Sequence, residues 1–145
     1  MIDPQTVARL HEIMRRESLS VLLYVGQAYP WTLARNNAAL TELKRIIDEE
    51  RQALNALGIF LARRHAALPW IGSFPSGFTT INFLSLDYIL QRLIEYESQS
   101  IQQLEKDIPG VTDADARAKV QALLDIKRQH LRELELMALP HPLSA

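Results

Sequence analysis

Cysteine is absent from the 145-residue chain, which excludes disulfides, thiolate metal sites, iron–sulfur clusters and a cysteine nucleophile. A basic excess is absent as well. Lys and Arg number 16 against 17 for Asp and Glu, for a formal net charge of -1. Nucleic-acid wrapping is not expected from that balance. Long apolar runs are missing: the longest nearly unbroken one, Leu19 to Val25, falls far short of the ~20 residues that span a bilayer. The start, Met1-Ile2-Asp3-Pro4-Gln5, has neither the basic flank nor the apolar core of a secretory signal. The expectation is a cytoplasmic, bacterial-type soluble domain with no nucleic-acid and no membrane partner. Also absent are a Gly-x-Ser-x-Gly elbow, a phosphate-cradling glycine loop and a dinucleotide fingerprint. What remains is a chain 48% hydrophobic and 23% charged, the balance of one globular domain over 1–145.

With 5 Gly and 7 Pro, the few breakers mark boundaries. Asp3-Pro4 reads as an N-cap followed by proline at the first helical position. Apolar residues then recur at helical spacing (Val7, Leu10, Met14, Val21, Tyr24, Ala28) until Pro30 forces Tyr29 out of the helical region. This predicts a first helix over about 4–29. A second, capped by Thr32, is predicted over 33–66, with Leu43, Ile46, Ile47, Leu54, Leu57 and Leu61 on one face and Gly58 inside it. Ser85 opens a third over 85–108, and a Thr112-x-x-Asp115 capping box a fourth over 113–138; the tail 140–145 looks frayed.

Residues 67–84 lack helical periodicity yet hold Trp70, Phe74, Phe78 and Phe83. Such a segment is expected to lie along the protein surface. Eighteen extended residues reach roughly 60 Å, whereas a 23-residue helix is about 35 Å long. The segment can therefore cross the whole molecule, making the second and third helices parallel. The expectation is an all-α four-helix bundle: two antiparallel hairpins joined by one long crossover loop.

The apolar stripes are interrupted in a pattern. Glu17 stands among Leu10, Ile13, Met14, Val21 and Tyr24; Glu50 among Leu43, Ile46, Ile47, Leu54 and Leu57; Glu97 among Leu90, Leu93, Ile94, Ile101 and Leu104. Lys127 stands among Val120, Leu123, Leu124, Leu131 and Leu134, with His130 three residues on. Each helix thus has an ionisable group at the centre of its buried face, where charge is costly unless paired or metal-bound. Glu17 and Glu50 are 33 residues apart around one hairpin, and Glu97 and His130 are 33 apart around the other. All are expected to converge on one mid-bundle layer. Glu17 could instead snorkel outward, and His130 alone would read equally as a core histidine.

One long crossover and this set of Glu and His positions, from about Asp3 to Leu139, resemble the ferritin-like superfamily, the rubrerythrin and bacterioferritin group in particular. The resemblance implies a left-handed bundle, a Glu from each of two helices and a Glu-x-x-His from the other two holding two irons or manganeses. On that footing Glu17, Glu50, Glu97 and His130 are the metal-ligating candidates. The departures are specific. Ala53 stands where the family's His would follow Glu50, and Lys127 stands in place of a bridging Glu. A shifted register on the second helix, Glu49 with Gln52, is the alternative; Glu50 is preferred because Gln52 lies about 160° away on the helical wheel. Lys127 removes a ligand and adds a repelling charge. It is therefore expected to serve as a buried counter-ion standing in for metal, with a carboxylated Lys127 the remote alternative.

Two functional readings follow. The first is a bundle without dinuclear chemistry, acting as a binding, scaffold or stress-associated protein with no cofactor. The second is a metal-dependent oxidoreductase acting on peroxide, dioxygen or ferrous iron at a single iron, manganese or zinc ion. No catalytic residue is assigned. Iron storage is not expected, since nothing in the sequence indicates a cage with an acidic lining. Tyr24 is either a donor to the carboxylate layer or an ordinary packed tyrosine. Trp31, Trp70, Phe74 and Phe78 read as a seam between loop and bundle, leaving room for a homodimer contact. His11, His65 and His141 read as solvent or helix-end residues.

Overall fold

The computed structural model describes residues 2–28 and 37–139. Among them the regular structure is helical: α1 (Pro4–Ser18), α2 (Val21–Val25), α3 (Asn37–Arg63), α4 (Leu86–Asp107) and α5 (Ala114–Ala138). Short 3-10 turns span Ser76–Phe83 and Ile108–Gly110. No helix among the described residues is long and apolar enough to cross a membrane.

The first expected helix is in fact two. Asp3 caps α1, its carboxylate accepting from the Thr6 N–H, with Pro4 at the first helical position. At Ser20 the backbone leaves helical geometry (ψ 157°) and the Ser20 hydroxyl accepts from the Leu23 N–H, capping α2. A serine that bonds the backbone three residues ahead competes with helix continuation, and here it ends one helix and begins the next. The second helix stops at Arg63 rather than 66. His65 takes up a left-handed conformation (φ 58°), the Ala66 N–H donates to the Leu61 carbonyl and the His65 N–H to Ala62, a Schellman ending. Ser85 caps α4 as expected, but Asp113 rather than Thr112 caps α5. Thr112 Oγ1 donates instead to the Asp3 carboxylate, and the Thr6 hydroxyl donates to Asp3 while accepting from the Asp113 N–H. This clasp ties the chain start to the α4–α5 turn. Trp31, the Thr32 cap, residues 33–36, the tail 140–145 and His141 lie outside the described residues.

Contacts between helices fix their directions. Arg45–Glu133, Lys127–Glu50 and Arg64–Asp115 advance along α3 as they recede along α5, so the two are antiparallel. α4 and α5 pack directly on one another and are joined only by the short turn at Ile108–Gly110, which makes them antiparallel as well. It follows that α3 and α4 run parallel. Arg16–Asp107 and Ser100–Glu17 set α1 against α4, and Met14 beside Gly58 sets it against α3. The segment between α3 and α4 returns along the molecule: Ala67 accepts from His11 Nε2 at 2.7 Å, Leu68 lies by Gly58, and Phe74 and Phe78 pack on Tyr24. The core between the long helices is aliphatic, with Leu10, Ile13, Leu43, Ile46, Leu57, Leu93, Leu104, Val120 and Leu124 essentially inaccessible.

Gly58 sits in mid-α3 without needing a glycine conformation. An added Cβ would meet Met14 Cε at 3.6 Å and Leu68 Cδ2 at 3.8 Å, ordinary contact distances. Gly58→Ala is therefore expected to raise the unfolding free energy by about 0.5–1 kcal/mol. Urea denaturation checks this; a loss of stability would mean that Met14 and Leu68 cannot accept the methyl group.

Candidate functional site

Four long helical segments each bring one ionisable side chain to the same buried layer. Glu17, Glu50, Glu97 and Lys127 have side chains only 1–3% exposed. Lys127 Nζ lies 2.7 Å from Glu50 Oε1, 3.0 Å from Glu97 Oε1 and 2.9 Å from Glu17 Oε1. An ammonium has three protons, and three carboxylates from three different elements surround it.

His130, one turn beyond Lys127, completes the layer. Its Nδ1 is 2.9 Å from Glu50 Oε2 and its Nε2 is 2.8 Å from Glu49 Oε1. Carboxylates only accept, so this geometry favours a ring in which both nitrogens carry a proton, the imidazolium. Both registers of the second helix thus reach the site: Glu50 as the buried member and Glu49 as a half-exposed one. Gln52 is exposed and takes no part.

A second layer, absent from the sequence reading, anchors these groups. Glu17 accepts from the Ser100 hydroxyl and from Arg16 Nε, the latter at 2.9 Å. Arg16 also contacts the buried Asp107 at 2.9 Å, and Gln103 Nε2 donates to Asp107 at 3.1 Å. On the other side Arg45 joins Glu49 at 2.7 Å, Glu42 at 2.9 Å and Glu133. Arg16 and Arg45 therefore hold the site from outside. Ser100, three residues after Glu97 on the same face, was the one available signal. Tyr24 is not a donor to the carboxylates: its hydroxyl donates to Asn82 Oδ1 at 3.0 Å, and its ring packs on the crossover. Trp70 is not part of a buried seam, being exposed.

Ionisation follows from who faces whom. Burial raises the Glu50 carboxyl, but the Lys127 charge and the His130 hydrogen bond outweigh it and hold the group at about 2. Burial likewise opposes ionisation of Glu17, and the Lys127 charge with the Ser100 hydrogen bond brings it below its ordinary value. Glu97 has no such surplus. Burial, with the Glu50 charge beside it, pushes it well above the carboxylate range despite Lys127. Its Oε2 is buried with no hydrogen-bond partner among the described residues, where a bare anionic oxygen would be costly. Burial disfavours charge on Lys127 and His130, but the carboxylates around them raise both. The surroundings thus favour the anions of Glu17 and Glu50 and the cations of Lys127 and His130, and disfavour ionisation of Glu97.

A metal has a partial footing. One ligand atom each of Glu50, Glu97 and His130 lies within 4.8 Å of the others. A dinuclear centre does not fit, because the Lys127 ammonium stands in contact with every carboxylate that would bridge the ions. A single ion would need the deprotonated forms of Glu97 and His130, against the direction in which burial moves Glu97 and the neighbouring carboxylates move His130. Comparison with protein-family models, with curated proteins and with solved structures finds no match for the chain.

Two outcomes follow from this charge assignment. Glu50→Gln leaves Lys127 and His130 short of a counter-charge and should lower stability by about 3–5 kcal/mol. Glu97→Gln removes a carboxyl whose ionisation burial and Glu50 already oppose and should stay within about 1 kcal/mol; equal losses in urea denaturation would show Glu97 to be charged. On pH, the depressed Glu17 and Glu50 contribute stability above the unfolded carboxylate value of about 4.3. That contribution is lost as pH falls through their folded values, about 2 for Glu50. The melting temperature, followed by circular dichroism, should drop between about pH 4 and pH 2.

Proposed function

We propose that the chain is a ferritin-like, left-handed four-helix bundle with one long crossover, in which an internal ammonium replaces dinuclear metal. On this reading it serves as a binding, scaffold or stress-associated protein of the cytoplasm rather than as an oxidase. The observation that carries the reading is Lys127, whose Nζ stands within 3.0 Å of three carboxylates from three elements. Two divalent cations need bridging carboxylates, and every candidate bridge is already neutralised. The parallel run of α3 and α4, with α1 and α5 opposed to them, supports the bundle topology. A core balanced by its own side chains needs no cofactor to stay folded, which leaves the outer surface to do the work.

The second reading is a metal-dependent oxidoreductase using one iron, manganese or zinc ion. It is favoured by the proximity of Glu50, Glu97 and His130, a donor set with open positions that suits such ions. Metal analysis of protein purified from its own host, with a ferrous-oxidation assay, separates the two. Substoichiometric metal and no oxidation above buffer are expected; stoichiometric metal with turnover would establish the second reading. The complementary variant is Lys127→Glu combined with Ala53→His. Added manganese should raise its melting temperature while leaving that of the native chain unchanged.

A further inference from the structure

A groove of about 700 Å³ opens between the start of α1 and the end of α3. That volume falls within the ~300–1,000 Å³ of small-molecule sites. One wall is a face of α1, where Val7, Ala8 and His11 recur at helical spacing, continued by Ile2 ahead of the helix. The other follows from the left-handed turn at His65, which ends α3 and carries Ala66 and Ala67 across from α1. Apart from the histidines and Arg64, the lining is apolar.

The two walls are fixed before any ligand arrives. His11 Nε2 donates to the Ala67 carbonyl at 2.7 Å and joins them directly. Arg64 is anchored on Asp113 and Asp115, and Asp3, between Ile2 and Pro4, is anchored on Thr6 and Thr112. A preformed site loses little free energy to ordering when it is filled.

The polar edge has one sign. Among the described residues that line the groove, the ionisable side chains are His11, Arg64 and His65, and none is acidic. The Asp3 carboxylate, the adjacent acid in the chain, is taken up by Thr6 and Thr112. Donors remain. A guanidinium has five N–H groups, of which Arg64 uses two on Asp113 and Asp115. His65 is exposed and makes no side-chain hydrogen bond or ion pair among the described residues.

We propose that the groove binds a free medium-chain carboxylate, with its hydrocarbon against Ile2, Val7, Ala8 and Ala66 and its head group at Arg64 and His65. Burial of the chain supplies the affinity, and the basic edge selects the head group. The groove shares no residue with the buried Lys127 layer, so this assignment and the metal question stand or fall separately.

Isothermal titration of the full chain with decanoate tests this. One-to-one binding is expected, with a Kd of about 10–100 µM. Decyltrimethylammonium has the same tail and the opposite charge, and should bind roughly tenfold more weakly or worse. Ala8→Glu places a carboxylate in the apolar wall at an exposed helical position. It should keep the native helical spectrum and melting temperature while weakening decanoate roughly tenfold or more. His65→Asn keeps the left-handed backbone, which Asn tolerates, and removes the imidazole. It should weaken decanoate about threefold and leave decyltrimethylammonium unchanged. No saturable binding up to about 1 mM would overturn the proposal, as would equal affinity for the two head groups or a decanoate affinity indifferent to Ala8→Glu. Co-sedimentation with anionic phospholipid vesicles in place of decanoate saturation would make this face a membrane contact and overturn it likewise.

Discussion

The Lys127 ammonium and its three carboxylates are the constraint around which the helices are arranged. A lone ammonium in this aliphatic interior would deprotonate or drag in water, and three lone carboxylates would repel one another. Brought together they satisfy one another, but only if α1, α3, α4 and α5 meet at one height. The interaction therefore specifies register between helices more than it adds stability, since a well-packed apolar replacement can equal a buried ion pair energetically. His130 extends the same logic. By taking the second oxygen of Glu50 it leaves Glu97 with an unpartnered Oε2, and burial there disfavours its charge.

Around this centre the structure is layered by polarity. Arg16 and Arg45 reach in from the surface, each holding a carboxylate that in turn faces Lys127 or His130. Ser100 supplies a neutral donor where a further charge would upset the balance. Beyond the polar layer the aliphatic core resumes above and below, so the ionic groups occupy one slab of an otherwise apolar interior. That slab is also where a metal centre would sit in the proposed family, and the amine occupies it with charge of the same sign as the ions it would displace.

The outside of the molecule follows a separate logic. The segment between α3 and α4 is irregular up to Pro75 and 3-10 helical from Ser76 to Phe83, and its aromatics divide by position. Phe74 and Phe78 pack on Tyr24, whereas Trp70, beside the bend at Gly72, stays exposed. Four aromatics in one loop look equivalent in a sequence. Their difference lies in which of them meets a partner ring after the chain has folded back, a long-range matter invisible to local pattern.

Local chemistry was legible in advance. The apolar stripes, the Asp3-Pro4 and Ser85 starts, the need for a long crossover, and the burial of Glu17, Glu50, Glu97, Lys127 and His130 all follow from helical periodicity, because a residue's place on a helical face is set by its immediate neighbours. The break at Ser20 and the shift of the last cap from Thr112 to Asp113 were not. Both turn on one hydroxyl choosing between local and distant partners, and Thr112 chose Asp3, more than a hundred residues away. Periodicity by itself determined which side chains must be buried. Tertiary structure alone decided that Lys127 touches all three acids, that Glu49 and Glu50 both serve His130, and that Glu97 is the acid whose charge is least favoured, because Coulomb energies depend on distances between helices that no single helix encodes.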